Sequence, residues 1–146
     1  SILIIWLLVA TGYLTNFSLG HQSSVYQSVV LLSPNGGESW TAGTTQYIRW
    51  HITSLSGLID DGISIFYSTD SGTTWNYIDC VVNPEVYGSY KWKIPLNIDS
   101  THARIMVSYR SGCGEIEILY DQDESDQDFT IKPYNTSLPR VTLSWD

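Results

Sequence analysis

Residues 2–10 are nine consecutive apolar side chains, and the first charged side chain is Glu38. Past the opening run, Ala10, Tyr13, Leu14 and Phe17 recur at spacings of three and four, and the stripe resumes at Val25, Val29 and Leu32. Asn16, Gln22, Ser23, Ser24 and Gln27 share the other side. This periodicity predicts a helix over residues 1–32, about 48 Å long. Gly12, Gly20 and the β-branched residues near the start weigh against it, and residues 28–32 also read as an extended strand.

From residue 29 the pattern changes to alternation punctuated by turns. Strands are expected at 29–33, 45–52, 63–67, 74–82, 89–94, 103–109 and 128–131. The turn at Pro34-Asn-Gly-Gly37 separates the first two, and Asp70-Ser-Gly72 makes a hairpin of the third and fourth. Seven short strands with frequent turns predict a mainly β chain, an antiparallel two-sheet sandwich behind a long apolar helix. Three parts follow: an assembly or anchor helix at 1–32, the sandwich at 33–131, and an extension at 132–146. The alternating segment 140–145 of that extension reads as an edge strand or as a strand donated to a neighbour.

The chain carries a net charge of −8, which excludes the basic footprint of nucleic-acid binders and electrostatic attachment to anionic lipid. Five of its fifteen acids lie in the run from Asp121 to Asp128. Hard cations favour clustered carboxylates, so Asp121, Asp123, Asp126 and Asp128 are candidate calcium ligands. The competing reading is a solvated acidic loop, since the run lacks the glycine and terminal glutamate of an EF-hand. No other cofactor is expected.

Cys80 and Cys113 form an even pair without CxxC spacing, so a disulfide is expected, closing a loop for roughly 4 kcal/mol on the chain-entropy model. The alternative is two buried thiols. The sequons at Asn16 and Asn135 are candidate glycosylation sites and fit an extracellular or cell-surface chain. The apolar start, without an initiator Met, reads as a processed and retained N-terminus.

The motif Ser33-Pro-Asn-Gly-Gly-Glu-Ser-Trp40, followed by Gly43 and Ile48-Arg-Trp50, resembles the immunoglobulin-like domain of the Kre9/Knh1 type, the Ser-Thr-rich GPI-anchored membrane family. The resemblance continues through Ile63-Ser-Ile-Phe-Tyr-Ser-Thr-Asp70, Tyr90-Lys-Trp-Lys-Ile-Pro95, Ala103-Arg-Ile-Met-Val107 and Ser125-Asp-Gln-Asp-Phe-Thr-Ile131. It implies a β-sandwich in an extracellular setting and no catalysis. Residues 1–32 resemble, in architecture and hydropathy, the N-terminal helix of archaeal type IV pilins and archaellum-like subunits. That resemblance implies a membrane anchor before assembly and a filament core afterwards. Ile5 stands where bacterial pilins carry an acid.

Ser68-Thr-Asp-Ser-Gly-Thr-Thr-Trp75 matches the Asp-box pattern, read here as a turn device rather than a glycan site. Trp40, Trp50, Trp75 and Trp92 read as core rather than as a sugar platform, while Trp6 and Trp145 read as subunit contacts. His21, His51 and His102 lack metal-ligand spacing, and no nucleophile elbow is present, so no enzyme is expected.

The leading expectation is a self-assembling filament subunit. Ile2, Leu3, Ile4, Ile5, Trp6, Leu7, Leu8 and Val9, then Tyr13, Leu14 and Phe17, would make its assembly contacts. The alternatives are a fibre built by donated strands and a secreted or anchored module binding cell-surface glycan.

Overall fold

The computed structural model describes residues 28–53, 61–114 and 117–135, and every element among them is a strand. They are β1 (Val29–Ser33), β2 (Ser39–Thr41), β3 (Thr45–Ile52), β4 (Gly62–Ser68), β5 (Asn76–Val82), β6 (Tyr87–Lys93), β7 (Ser100–Arg110), β8 (Leu119–Glu124) and β9 (Phe129–Lys132). Residues 1–27 of the helix expected over 1–32, and the strand expected at 140–145, lie outside the described residues. Where the helical and extended readings overlapped, at 29–32, the chain is strand: Val29 and Leu31 are buried while Val30 and Leu32 point out. A period of two wins there because β1 pairs antiparallel with β3.

Two sheets enclose one core. The smaller has the order β1-β3-β6, and the larger runs β2-β9-β7-β4-β5 with β8 also on β7. All pairings are antiparallel except β2 with β9. Alternation explains the core directly. Ile48, Trp50 and Ile52 of β3 face Ile105, Val107 and Tyr109 of β7 across the interior, all 1% exposed or less. Trp40 packs against Trp92 and Phe129, joining β2, β6 and β9 at one end. Gly88 is paired with Trp50 across β3 and β6, and a Cβ there would collide with the indole, so the glycine makes room for the ring.

Two strands were not expected. β2 is only three residues long, too short for alternation to show. β8 occupies the first half of the acidic run, which the sequence pattern had suggested was a loop or a calcium site. Aspartate is a poor strand former, but tertiary context overrides propensity here. β8 pairs with β7, and its carboxylates serve β1: Val29 N–H donates to Asp121 Oδ2 (3.0 Å) and Leu31 N–H donates to Asp123 Oδ2 (2.7 Å). The alternate acids thus cap the edge of the small sheet and tie it to the large one.

The turn after β1 is held in the same way. Glu38 accepts the backbone N–H groups of Asn35 and Gly36, each at 2.8 Å. Asn35 exchanges side-chain hydrogen bonds with Asp126, whose N–H donates to Asn35 Oδ1. Buried Ser125 donates to the Pro34 carbonyl and accepts from Ile105 N–H. Gly36 has φ +129° and lies so close to Gln127 that a Cβ would overlap it. Two motifs about ninety residues apart in the chain therefore form one clasp.

Candidate functional site

The Asp-box residues build a closed turn between β4 and β5. The Ser68 hydroxyl donates to Asp70 Oδ1 (2.6 Å) and accepts Gly72 N–H (2.9 Å). Asp70 also accepts Thr74 N–H (2.9 Å) and the Thr74 hydroxyl (2.7 Å). Ser71 and Gly72 take positive φ, of 57° and 85°. The Ser68 hydroxyl, then the Thr74 hydroxyl and N–H, stabilise the charged carboxylate and lower the Asp70 pKa to about 2. The side-chain oxygens of Ser68, Asp70 and Thr74 are thus spent on the turn itself.

Beside it, Asp128 gathers Ser71, His102 and Arg104. The Ser71 hydroxyl donates to Asp128 Oδ2 (2.6 Å), His102 Nδ1 lies 3.1 Å from the same oxygen, and Arg104 Nε donates to Oδ1 (2.7 Å). Arg104 also reaches Glu124 at 3.6 Å. The Ser71 hydroxyl, with Arg104 and His102 behind it, holds the Asp128 carboxyl well below the usual carboxylate range. Serine, histidine and aspartate meet here, but the carboxylate lies between the other two. The hydroxyl donates to an acid already committed to its charged form, not to an imidazole base, so the arrangement is a clasp rather than a nucleophile–base pair.

The four candidate calcium ligands do not converge. Asp121 and Asp123 serve β1, Asp126 serves Asn35, and Asp128 serves Arg104. Among the described residues no group of three or more His, Cys, Asp or Glu side chains is placed to hold a metal ion. The calcium reading of the run is replaced by this one: its carboxylates answer backbone N–H groups and an arginine.

Cys80 of β5 and Cys113 after β7 are bonded to each other, with Cα atoms 5.8 Å apart. The bond closes over β4, which lies between the two strands. Asn135 is exposed; Asn16 and the assembly residues Ile2 to Phe17 lie outside the described residues. Trp40, Trp50 and Trp92 are core, as alternation predicts, whereas Trp75 is half-buried beside the Asp-box glycine. A cleft of about 330 Å³ opens between β5 and β6 beneath the Asn83–Val86 connection, floored by Trp50 and Gly88. Asn83, Glu85 and Ser89 also line it, and the buried Trp50 Nε1 has no hydrogen-bond partner among the described residues.

The feature that strand-by-strand reading missed is the outer face of the small sheet. Cross-strand register aligns Val30 with His51 and His51 with Tyr87, Arg49 with Ser89, Tyr47 with Lys91, and Thr45 with Lys93. His51 and Tyr87 stack at 4.3 Å, and Tyr87 is 70% exposed. Arg49 lies 5.0 Å and Lys91 5.8 Å from the Tyr47 ring centre, both within cation–π range. Three of the chain's seven lysines and arginines stand on this face, and none of its fifteen acids lies on β1, β3 or β6. Arg104 and Arg110 on β7 are ion-paired, to Asp128 and Glu124 and to Glu117. Arg49, Lys91 and Lys93 form no ion pair among the described residues; Lys93 instead donates to the Gly43 carbonyl. Only the alternate positions of three strands, read together, reveal this face.

Compared with known proteins, the chain matches no family model and no curated relative.

Proposed function

We propose that this protein is the structural subunit of an extracellular filament, polymerising through its apolar N-terminal segment and displaying an immunoglobulin-like sandwich. The observation that carries the reading is the uncharged stretch up to Glu38, which opens with nine apolar residues and runs directly into β1. Burying one Leu- or Ile-sized side chain stabilises by about 1.5–3 kcal/mol, so residues 2–9 offer on the order of 10 kcal/mol before ordering costs. A charge in such a packed core would cost several kcal/mol unless paired, and this segment has none. The segment would hold each subunit in the membrane before assembly.

The strand order supports the immunoglobulin-like assignment. β1, β3 and β6 stand as the first, second and fifth strands of such a domain. β9, β7, β4 and β5 stand as its last, sixth, third and an added edge strand. The Cys80–Cys113 bond suits an oxidising compartment. A second reading keeps polymerisation but uses a donated strand, favoured by β5 and β6, which are terminal in their sheets. A third, a glycan-binding module, is favoured by the exposed rings of Tyr47 and Tyr87.

Negative-stain electron microscopy of the full chain tests the proposal. Uniform thin filaments are expected, with a helical far-UV signal beyond that of the sandwich. Ile5→Lys is expected to abolish them while leaving the sandwich folded. Filaments of normal length from that variant would sink the helix-core version, and dispersed wild-type particles would sink polymerisation altogether.

A further inference from the structure

We infer that the outer face of the β1-β3-β6 sheet is a second assembly surface, which docks on the acidic surface of another copy of this chain. The inference rests on the filament reading above and adds to it the contact that sets one sandwich against the next.

The occupant follows from charge. Removing the three positive charges of Arg49, Lys91 and Lys93 from a total of −8 leaves −11 on the rest of the chain. The complement of this face is therefore abundant on every other copy. Glu85 and Asp99 are exposed and unpaired among the described residues, and Asp126 is exposed as well. On the same face, half-exposed Val30 and Leu32 on the edge strand β1 and the rings of Tyr47 and Tyr87 supply apolar contact once water is displaced.

Symmetry follows from the same observation. Two copies of this face related by a two-fold axis would set cation against cation. The favourable contact is face to acidic surface, which is heterologous, and a heterologous contact that does not close propagates a filament. Position agrees: β1 is one edge of this sheet, so the face adjoins the point where the apolar segment enters the sandwich.

Size sets the role. Three strands of up to eight residues cover roughly 27 Å by about 14 Å, on the order of 400 Å² in plan. A stable stand-alone interface buries about 800 Å² per partner. This face therefore orients neighbours that the apolar segments have already brought together.

The test uses the full chain in two measurements. A zero-length carbodiimide cross-linker on wild-type assemblies, read by mass spectrometry with isotope-mixed copies, should join Lys91 or Lys93 to acidic residues of a different copy. The triple variant Arg49→Glu, Lys91→Glu, Lys93→Glu should raise the critical concentration for assembly at least tenfold at low salt. It should also abolish the several-fold rise expected of wild type between 50 and 500 mM salt. Intermolecular links absent from these lysines, or a variant that assembles as wild type does at both salts, overturns the inference while the filament reading stands. Wild-type protein that stays dispersed at all concentrations, with no intermolecular links, overturns both. Because the links are read on wild type, a variant that misfolds does not blunt the test.

Discussion

The two sheets handle charge in opposite ways. On the large sheet and its connecting turns, carboxylates are consumed by structure: Asp128 by Arg104, His102 and Ser71, Asp70 by its own turn, and Asp121 and Asp123 by the edge of β1. On the outer face of the small sheet, three cations stand without a carboxylate among the described residues. The difference teaches where to look for function in an acidic chain. A paired charge is already accounted for by the fold. An unpaired cation in a protein of net charge −8 is what a partner's carboxylate can still answer.

The comparison can be broken most severely at the disulfide, which staples the large sheet alone. Replacing Cys80 and Cys113 by serine should cost about 2–4 kcal/mol, because the bond restricts a loop with a sequence separation of 33 in the unfolded chain. Urea unfolding of oxidised and variant protein reads this, with the outer face of the small sheet left intact. The next effect is expected where the two sheets are tied. Asp123→Ala strips the Leu31 N–H of its acceptor at a part-buried edge and should cost about 1–3 kcal/mol. It should also expose β1 to edge pairing, seen as faster aggregation by light scattering. Asp123→Asn keeps an acceptor and should recover most of the loss.

A smaller effect sharpens the contrast itself. Arg104→Ala leaves Asp128 without its closest cation and should destabilise by about 1 kcal/mol. Arg49→Ala and Lys91→Ala should stay within about 0.5 kcal/mol, since neither is ion-paired among the described residues. Equal losses on both sheets, measured by thermal unfolding, would erase the distinction.

The last effect is a pH slope. Asp70 titrates at about 2 in the fold but near 3.9 in an unfolded chain. Below pH ~4 the unfolded state therefore binds more protons, and the Asp70 contribution, complete above that pH, is lost as pH falls towards 2. Melting temperature should drop over this window, and Asp70→Asn should flatten the drop without steepening it elsewhere. A variant with an unchanged slope would assign the acid sensitivity to Asp128, whose pKa is lowered in the same sense.

Much of the fold was legible in residue order. Seven strands lie close to where alternation and turn residues put them, because a half-buried strand writes its two faces into successive side chains. Ile48, Trp50 and Ile52 are the clearest case. The Asp-box turn was legible for a related reason: its donors and acceptors lie within seven residues of one another, so local chemistry alone specifies it. The cysteine pairing was legible because two cysteines admit only one partnership.

What escaped was decided at long range. Five acids in eight residues look solvated, and no local rule says that Asp121 and Asp123 will meet backbone N–H groups ninety-two positions earlier. The clasp of Asn35 with Asp126 and of Pro34 with Ser125 is equally remote. The basic face is assembled from Arg49 on β3 and Lys91 and Lys93 on β6, spread over more than forty positions and aligned only by strand register.

The sequence by itself therefore determined the strand class, most element positions, the hairpin turn, the disulfide and the uncharged apolar segment, because each depends on neighbours in the chain or on composition. Tertiary structure alone decided which carboxylates are spent and which cations are left unpaired. A charge finds its partner through space, and pairing distant strands is what sets that distance.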